Sequence, residues 1–154
     1  MPRPTLVDWN RDGQLDVLMK YDNRNALFIA LGPLAGKEHL SLRPVELPGK
    51  PFVRHYAVAD WDRDGNFDVL AAVIDQKEVT GYGCQQIVWF RNQTSIGEPS
   101  FEEPRPLLTI PDPWWINGFD VWCREGVPIG IVVAVNIVEK GDAKKAQLWR
   151  YRWR

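Results

Sequence analysis

Two acidic loops carry the chemistry that this sequence can offer. Asp8-Trp9-Asn10-Arg11-Asp12-Gly13-Gln14-Leu15-Asp16 and Asp60-Trp61-Asp62-Arg63-Asp64-Gly65-Asn66-Phe67-Asp68 place oxygen-bearing side chains at positions one, three, five and nine, with glycine at six. That spacing suits a hard divalent cation. Calcium takes about six to eight oxygens, and only a tightly curled loop gathers so many from so few residues. Glycine at the sixth position supplies the backbone freedom for the curl. The candidate ligands are Asp8, Asn10, Asp12 and Asp16 with the Gln14 carbonyl in the first loop, and Asp60, Asp62, Asp64 and Asp68 with the Asn66 carbonyl in the second. Two Ca2+ sites are expected. An EF-hand begins the same way but needs a bidentate Glu at position twelve and flanking helices. Position twelve is Met19 in one loop and Ala71 in the other, and both loops are flanked by β-rich segments, so that reading is excluded. The expected role of the ion is structural, because a nearly complete protein shell leaves little room for an activated water.

The elements that position these loops repeat with them. The second loop follows the first at an offset of 52 residues, and an eroded third copy, Val121-Trp122-Cys123-Arg124-Glu125-Gly126-Val127-Pro128-Ile129, follows at a further 61. Val121, Cys123 and Ile129 replace three ligands there, and Glu125 alone cannot hold an ion, so no third site is expected. Apolar, β-rich runs follow each loop at 16–19, 68–73 and 129–138, and second runs follow at 26–31, 86–91 and 147–153, with Phe28, Trp89 and Trp149 at matching places. The extra length of the second unit falls at 75–85. Short strands with Pro and Gly at the turns, and almost no amphipathic helix, predict an all-β fold. Four strands in each unit of roughly 40–60 residues is the size of one propeller blade. In the second unit they are expected at 55–59, 68–73, 86–91 and 100–108.

The units span approximately 1–52, 53–113 and 114–154, and the third lacks its outer strand. Propellers close with about four to eight blades. The expectation is therefore a segment of a larger or multi-chain propeller, completed by further blades from the same or another chain.

Both loops, with β-branched strands around them, resemble the FG-GAP/VCBS repeats of integrin α-subunit propellers and bacterial surface proteins. The resemblance covers essentially the whole chain, strongly in two units and weakly in the third. It implies calcium in the loop joining the first two strands of a blade, on the edge away from the usual ligand face, and an extracellular, cell-surface or periplasmic setting. The sequence opens with Met1-Pro2-Arg3-Pro4 and shows no signal peptide, so an export signal is expected outside it.

Composition narrows the remaining classes. The 154 residues carry a net charge of −1, which offers no footprint for nucleic acid, and no apolar run suits membrane insertion. Trp9, Trp61 and Trp122 recur at loop position two and read as packing between blades. Trp114 and Trp115, in the connector entering the third unit, and Tyr82, in the long hairpin of the second, are candidate contacts for a protein or carbohydrate partner. Arg54, His55 and Tyr56, at the top of an inner strand, could line a channel-mouth site if other blades completed it. Cys84 and Cys123 fall at opposite ends of their units, too far apart to bridge, so two free thiols are expected. The alternating 149–154 segment would offer an exposed edge to another chain.

No paired carboxylates outside the loops, no Ser or Cys beside a His and no phosphate-binding glycine loop stand out, which favours a module over an enzyme. The favoured function is a calcium-stabilised module that binds protein or carbohydrate, or a structural subunit of a larger assembly. The alternative is the propeller domain of a secreted polysaccharide-active enzyme.

Overall fold

A computed structural model describes residues 4–20, 26–74, 85–95, 98–139 and 142–152. Eleven strands form three antiparallel sheets, and each sheet is a meander in which neighbours in sequence are neighbours in space. The first contains β1 (Thr5–Val7), β2 (Asp16–Lys20), β3 (Leu27–Ala30) and β4 (Arg43–Val45). The second contains β5 (Phe52–Ala59), β6 (Asp68–Ile74), β7 (Gln86–Phe90) and β8 (Arg105–Thr109). The third contains β9 (Trp115–Arg124), β10 (Val127–Glu139) and β11 (Asp142–Arg152). Among the described residues no helix is long and apolar enough to cross a membrane.

The sheets stack face to face as propeller blades do, in an open array that does not close. The sequence of β6, Asp-Val-Leu-Ala-Ala-Val-Ile, shows why. Successive side chains of a strand point to opposite faces, and here both faces are buried, so no polar alternation survives. Val69 and Ala71 enter a core with Val7, Trp9, Leu18, Leu27 and Ile29 of the first blade. Leu70 and Ala72 enter a second core with Ile116, Ile131, Val133 and Val135 of the third. β7 divides in the same way, with Val88 and Phe90 toward the first blade and Ile87 and Trp89 toward the third. β10 has one blade beside it: Ile131, Val133 and Val135 are buried, while Val132, Ala134 and Asn136 on the opposite face are half-buried. The innermost strands converge, β5 touching β9. The Tyr56 hydroxyl bridges β1 and β2, lying 3.3 Å from Thr5 Oγ1 and donating to the Leu18 carbonyl at 3.0 Å.

Several boundaries differ from those read in the sequence. β5 starts at Phe52 rather than at 55, and the outer strand of the second blade is Arg105–Thr109. Phe101 makes only an isolated bridge to Asn92. In the third blade β11 begins at Asp142, well before 147. The cross-strand ladders also correct the repeat alignment. Trp89 stands opposite Leu70 as Ile29, not Phe28, stands opposite Leu18. Trp149 lies on the face of its sheet turned toward the second blade, so it meets Trp89 across a shared core and is not its structural counterpart. Spacing alone does not resolve such one-residue shifts, each of which sends a side chain to the other face.

Candidate metal centre

The two long loops are the connections from β1 to β2 and from β5 to β6. In each, an arginine at position four and the glycine at position six take left-handed backbone angles: Arg11 (φ 60) and Gly13 (φ 83), then Arg63 (φ 64) and Gly65 (φ 90). These reversals turn successive carboxylates toward one another. They also bring the first loop against the second, since a Cβ on Gly65 would meet the Arg11 guanidinium at 3.1 Å.

In the second loop, Asp60 Oδ2 accepts the Gly65 N–H at 3.1 Å, Asp62 Oδ1 accepts the Asp64 N–H at 3.3 Å, and Asp64 Oδ1 accepts the Asn66 N–H at 2.8 Å. One oxygen from each of Asp60, Asp62 and Asp64 lies within 4.8 Å of the others, a group that could hold a metal ion. Asp60 Oδ1 is buried and accepts no hydrogen bond. A buried carboxylate oxygen without a donor is costly unless a cation meets it, and the purely oxygen donor set suits a hard ion such as calcium. The residues present therefore fit the group.

The first loop has the same frame with a quieter centre. Asp8 Oδ2 accepts the Gly13 N–H at 3.0 Å, while Asp8 Oδ1, the counterpart of the unpartnered Asp60 oxygen, accepts the Asp12 N–H at 3.1 Å. Asn10 donates through Nδ2 to Asp12 Oδ2 at 3.2 Å, and Gln14 donates its N–H to Asp12 Oδ1 at 2.9 Å.

Asp16 and Asp68, at position nine, stand apart from these groups. Both are fully buried, and each oxygen accepts a backbone N–H. Asp16 takes those of Trp9 (2.8 Å) and Gly32 (2.7 Å), and Asp68 takes those of Trp61 (3.1 Å) and Asn92 (2.8 Å). Each carboxylate thus pins the start of its loop to the end of the third strand of its blade. Burial pushes the Asp68 carboxyl up to about 6, against the opposing pull of these N–H donors. Asn92 extends the clamp: its Nδ2 donates to the Phe67 carbonyl at 3.0 Å and its Oδ1 accepts the Thr94 N–H at 2.8 Å. Thr94 Oγ1 then accepts the Trp9 indole N–H at 3.3 Å. A buried polar chain so joins the two loops.

Arg91, at the end of β7, is a residue that the sequence reading missed. Its Nε donates to Asp62, its Nη2 to Asp64 at 2.8 Å and its Nη1 to Glu102 at 2.7 Å. Glu102 is itself held by Arg105 at 2.7 Å and Gln93 at 3.0 Å. For Asp64 the cost of burial is outweighed by the Asn66 bonds and the Arg91 charge, leaving its carboxyl below the usual range. No local spacing links Arg91 to residues 27 and 29 positions earlier. Only the demand of three clustered acids for a counter-charge could have pointed to it.

The other candidates do not converge. Arg54 is exposed, at a bulge in β5, and His55 beside it is half-buried. The His55 imidazole is pushed down by burial and by the Arg54 and Lys20 charges. Trp114 packs into the second inter-blade core with its ring 5.2 Å from that of Trp149 and Lys145 over it. Trp115 is half-buried at the start of β9. Cys123 is an exposed thiol. Tyr82, Cys84 and most of the 75–85 hairpin lie outside the described residues.

A family model described as an FG-GAP-like repeat matches residues 8–71, from the first acidic loop through the second and into β6. That segment of this all-β, blade-forming chain is thus similar to an FG-GAP repeat. No curated protein and no solved structure matches the chain.

Proposed function

We propose that the chain is a calcium-stabilised propeller module that binds protein or carbohydrate, or packs within a larger propeller, outside the cell or in the periplasm. The observation that carries the reading is the unpartnered, buried Asp60 Oδ1 among the convergent oxygens of Asp60, Asp62 and Asp64. FG-GAP-like repeats bring the expectation of calcium, and extracellular calcium modules work at dissociation constants of about 10⁻⁴–10⁻³ M. Asp60, Asp62 and Asp64 with the Asn66 carbonyl would hold the second ion, and Asp8, Asn10 and Asp12 with the Gln14 carbonyl the first. Asp16 and Asp68 would fix the loop ends from beneath. The ion supplies the positive charge that lets the carboxylates converge, and the chain supplies a curl already set by its glycines and clamps.

Further blades, from this or another chain, are the proposed cover for the outer face of the third sheet. Trp9 and Trp61 are each buried against the next sheet, whereas Trp122, the matching residue in β9, lies beneath Arg150 and Arg152, and Leu148 of β11 is 74% exposed. Thermal melting with calcium and with a chelator tests the structural role. Millimolar calcium should raise the Tm by several degrees, and Asp60→Asn should remove most of that rise. An identical Tm in calcium and chelator would end this reading.

A further inference from the structure

Arg91 stands where the two loops differ most. The ladders make Leu31 the counterpart of Arg91: Ala30 pairs with Val17 as Phe90 pairs with Val69, and Leu31 and Arg91 each come next. Leu31 is apolar and packs against the first inter-blade core. The first loop also has Asn10 where the second has Asp62. The second loop therefore carries one more carboxylate, and a guanidinium bonded to that same carboxylate. The substitution of charge at position three and the substitution at the end of the third strand compensate one another.

We infer that Arg91 is a resident counter-cation of the second loop, holding Asp62 and Asp64 together in the absence of metal and competing with calcium for them. This inference rests on the calcium reading of the same loop. The guanidinium engages the outer oxygen, Oδ2, of both carboxylates, while their Oδ1 atoms accept loop N–H groups. Asp60, the third member of the group, makes no bond to Arg91 that would satisfy its inward oxygen. Arg91 thus neutralises part of the group and leaves one oxygen for an ion.

Glu102 makes the arrangement persistent. It anchors the third edge of the guanidinium and is braced by Arg105 and Gln93, so arrival of an ion does not simply release the arginine. A divalent ion then binds beside a fixed positive charge. The first loop, with an apolar residue at that register position, has no equivalent opponent there. Two consequences follow. The metal-free second loop keeps its shape better than the first, and its calcium affinity is lower than the three convergent carboxylates alone would give.

The test is a calcium titration of the full chain followed by NMR at the Gly13 and Gly65 amides, which report the two loops separately because each donates to the position-one aspartate of its own loop. In Arg91→Ala the dissociation constant read at Gly65 should tighten about five- to tenfold at low salt, as expected from removing a like charge a few ångströms from the ion. The value read at Gly13 should not change. The gain should shrink as ionic strength rises, and in chelator the Gly65 amide should exchange faster than in the unmodified chain. Arg91→Lys, which keeps the charge, should retain the weaker affinity and serves if the alanine variant does not fold. Equal or weaker calcium binding at Gly65 in Arg91→Ala would overturn the inference. No calcium response at Gly65 in the unmodified chain would instead remove the calcium reading on which it rests.

Discussion

In the second blade the chain leaves β5 at Ala59 and re-enters the sheet at Asp68, after an acidic loop. In the third it leaves β9 at Arg124 and re-enters at Val127, with only Glu125 and Gly126 between. Those two residues take positive φ of 53° and 80°, and Arg124 pairs with Val127, so the third connection is a tight two-residue hairpin. The sequence aligned the two connections residue for residue, yet they share only the left-handed glycine at position six, Gly65 and Gly126. The difference traces to position nine. Asp68 sits buried and spends both oxygens on the N–H groups of Trp61 and Asn92, forcing the chain out of the sheet before it. Ile129 has no such demand, and Val121 and Cys123 continue β9 as ordinary strand residues. The long loop is thus held by a carboxylate beneath it as well as by any ion within it.

That contrast can be broken most forcefully at the position-two tryptophans. Trp61 is buried between blades, so Trp61→Ala should cost roughly 3–5 kcal/mol in urea unfolding. Trp122→Ala, which loses contacts to two arginines on an outer face, should cost about 1 kcal/mol. Equal losses would mean that the third sheet buries its outer face as the second does.

Next in size is the clamp itself. Asp68→Ala strands two buried N–H donors and should destabilise by roughly 2–4 kcal/mol. Asp68→Asn keeps an acceptor and removes a buried charge, so it should lose less. An alanine variant as stable as the parent in chelator would show that the loop is not held from beneath.

The smallest expected effect belongs to His55, in the inner strand and away from both loops. Its folded pKa lies below the ordinary 6.5 because burial and the Arg54 and Lys20 charges disfavour the imidazolium. The unfolded chain therefore binds a proton first as pH falls, and the contribution of His55 is complete above 6.5 and lost below it. Relative to His55→Gln, the parent should lose stability on acidification from pH 7 to below 6. Parallel stability–pH curves in that window would show that His55 is not perturbed.

The fold was legible where both faces of a strand are buried. The unbroken apolar run of β6 and the repeated loop-and-strand order define blades without any tertiary information. Within the loops, residues that converge through the loop's own backbone, Asp60, Asp62 and Asp64, could be read from spacing. Arg91 and Asn92 could not, because they arrive through sheet register after a hairpin whose length differs between blades. The role of Asp68 was hidden for a related reason: its N–H partners lie partly on another strand, and a pattern match cannot separate a carboxylate that faces an ion from one that faces backbone amides. Trp149 was misplaced because the tight hairpin of the third blade shifts its faces relative to the other two.

The most direct test of the central claim is a crystal structure grown with calcium, with the ion identified by its anomalous scattering. The account predicts a calcium ion between Asp60, Asp62 and Asp64, at about 2.3–2.6 Å from Asp60 Oδ1. An ordered second loop with no ion there at millimolar calcium, and Asp60 Oδ1 met by a protein donor instead, would contradict it.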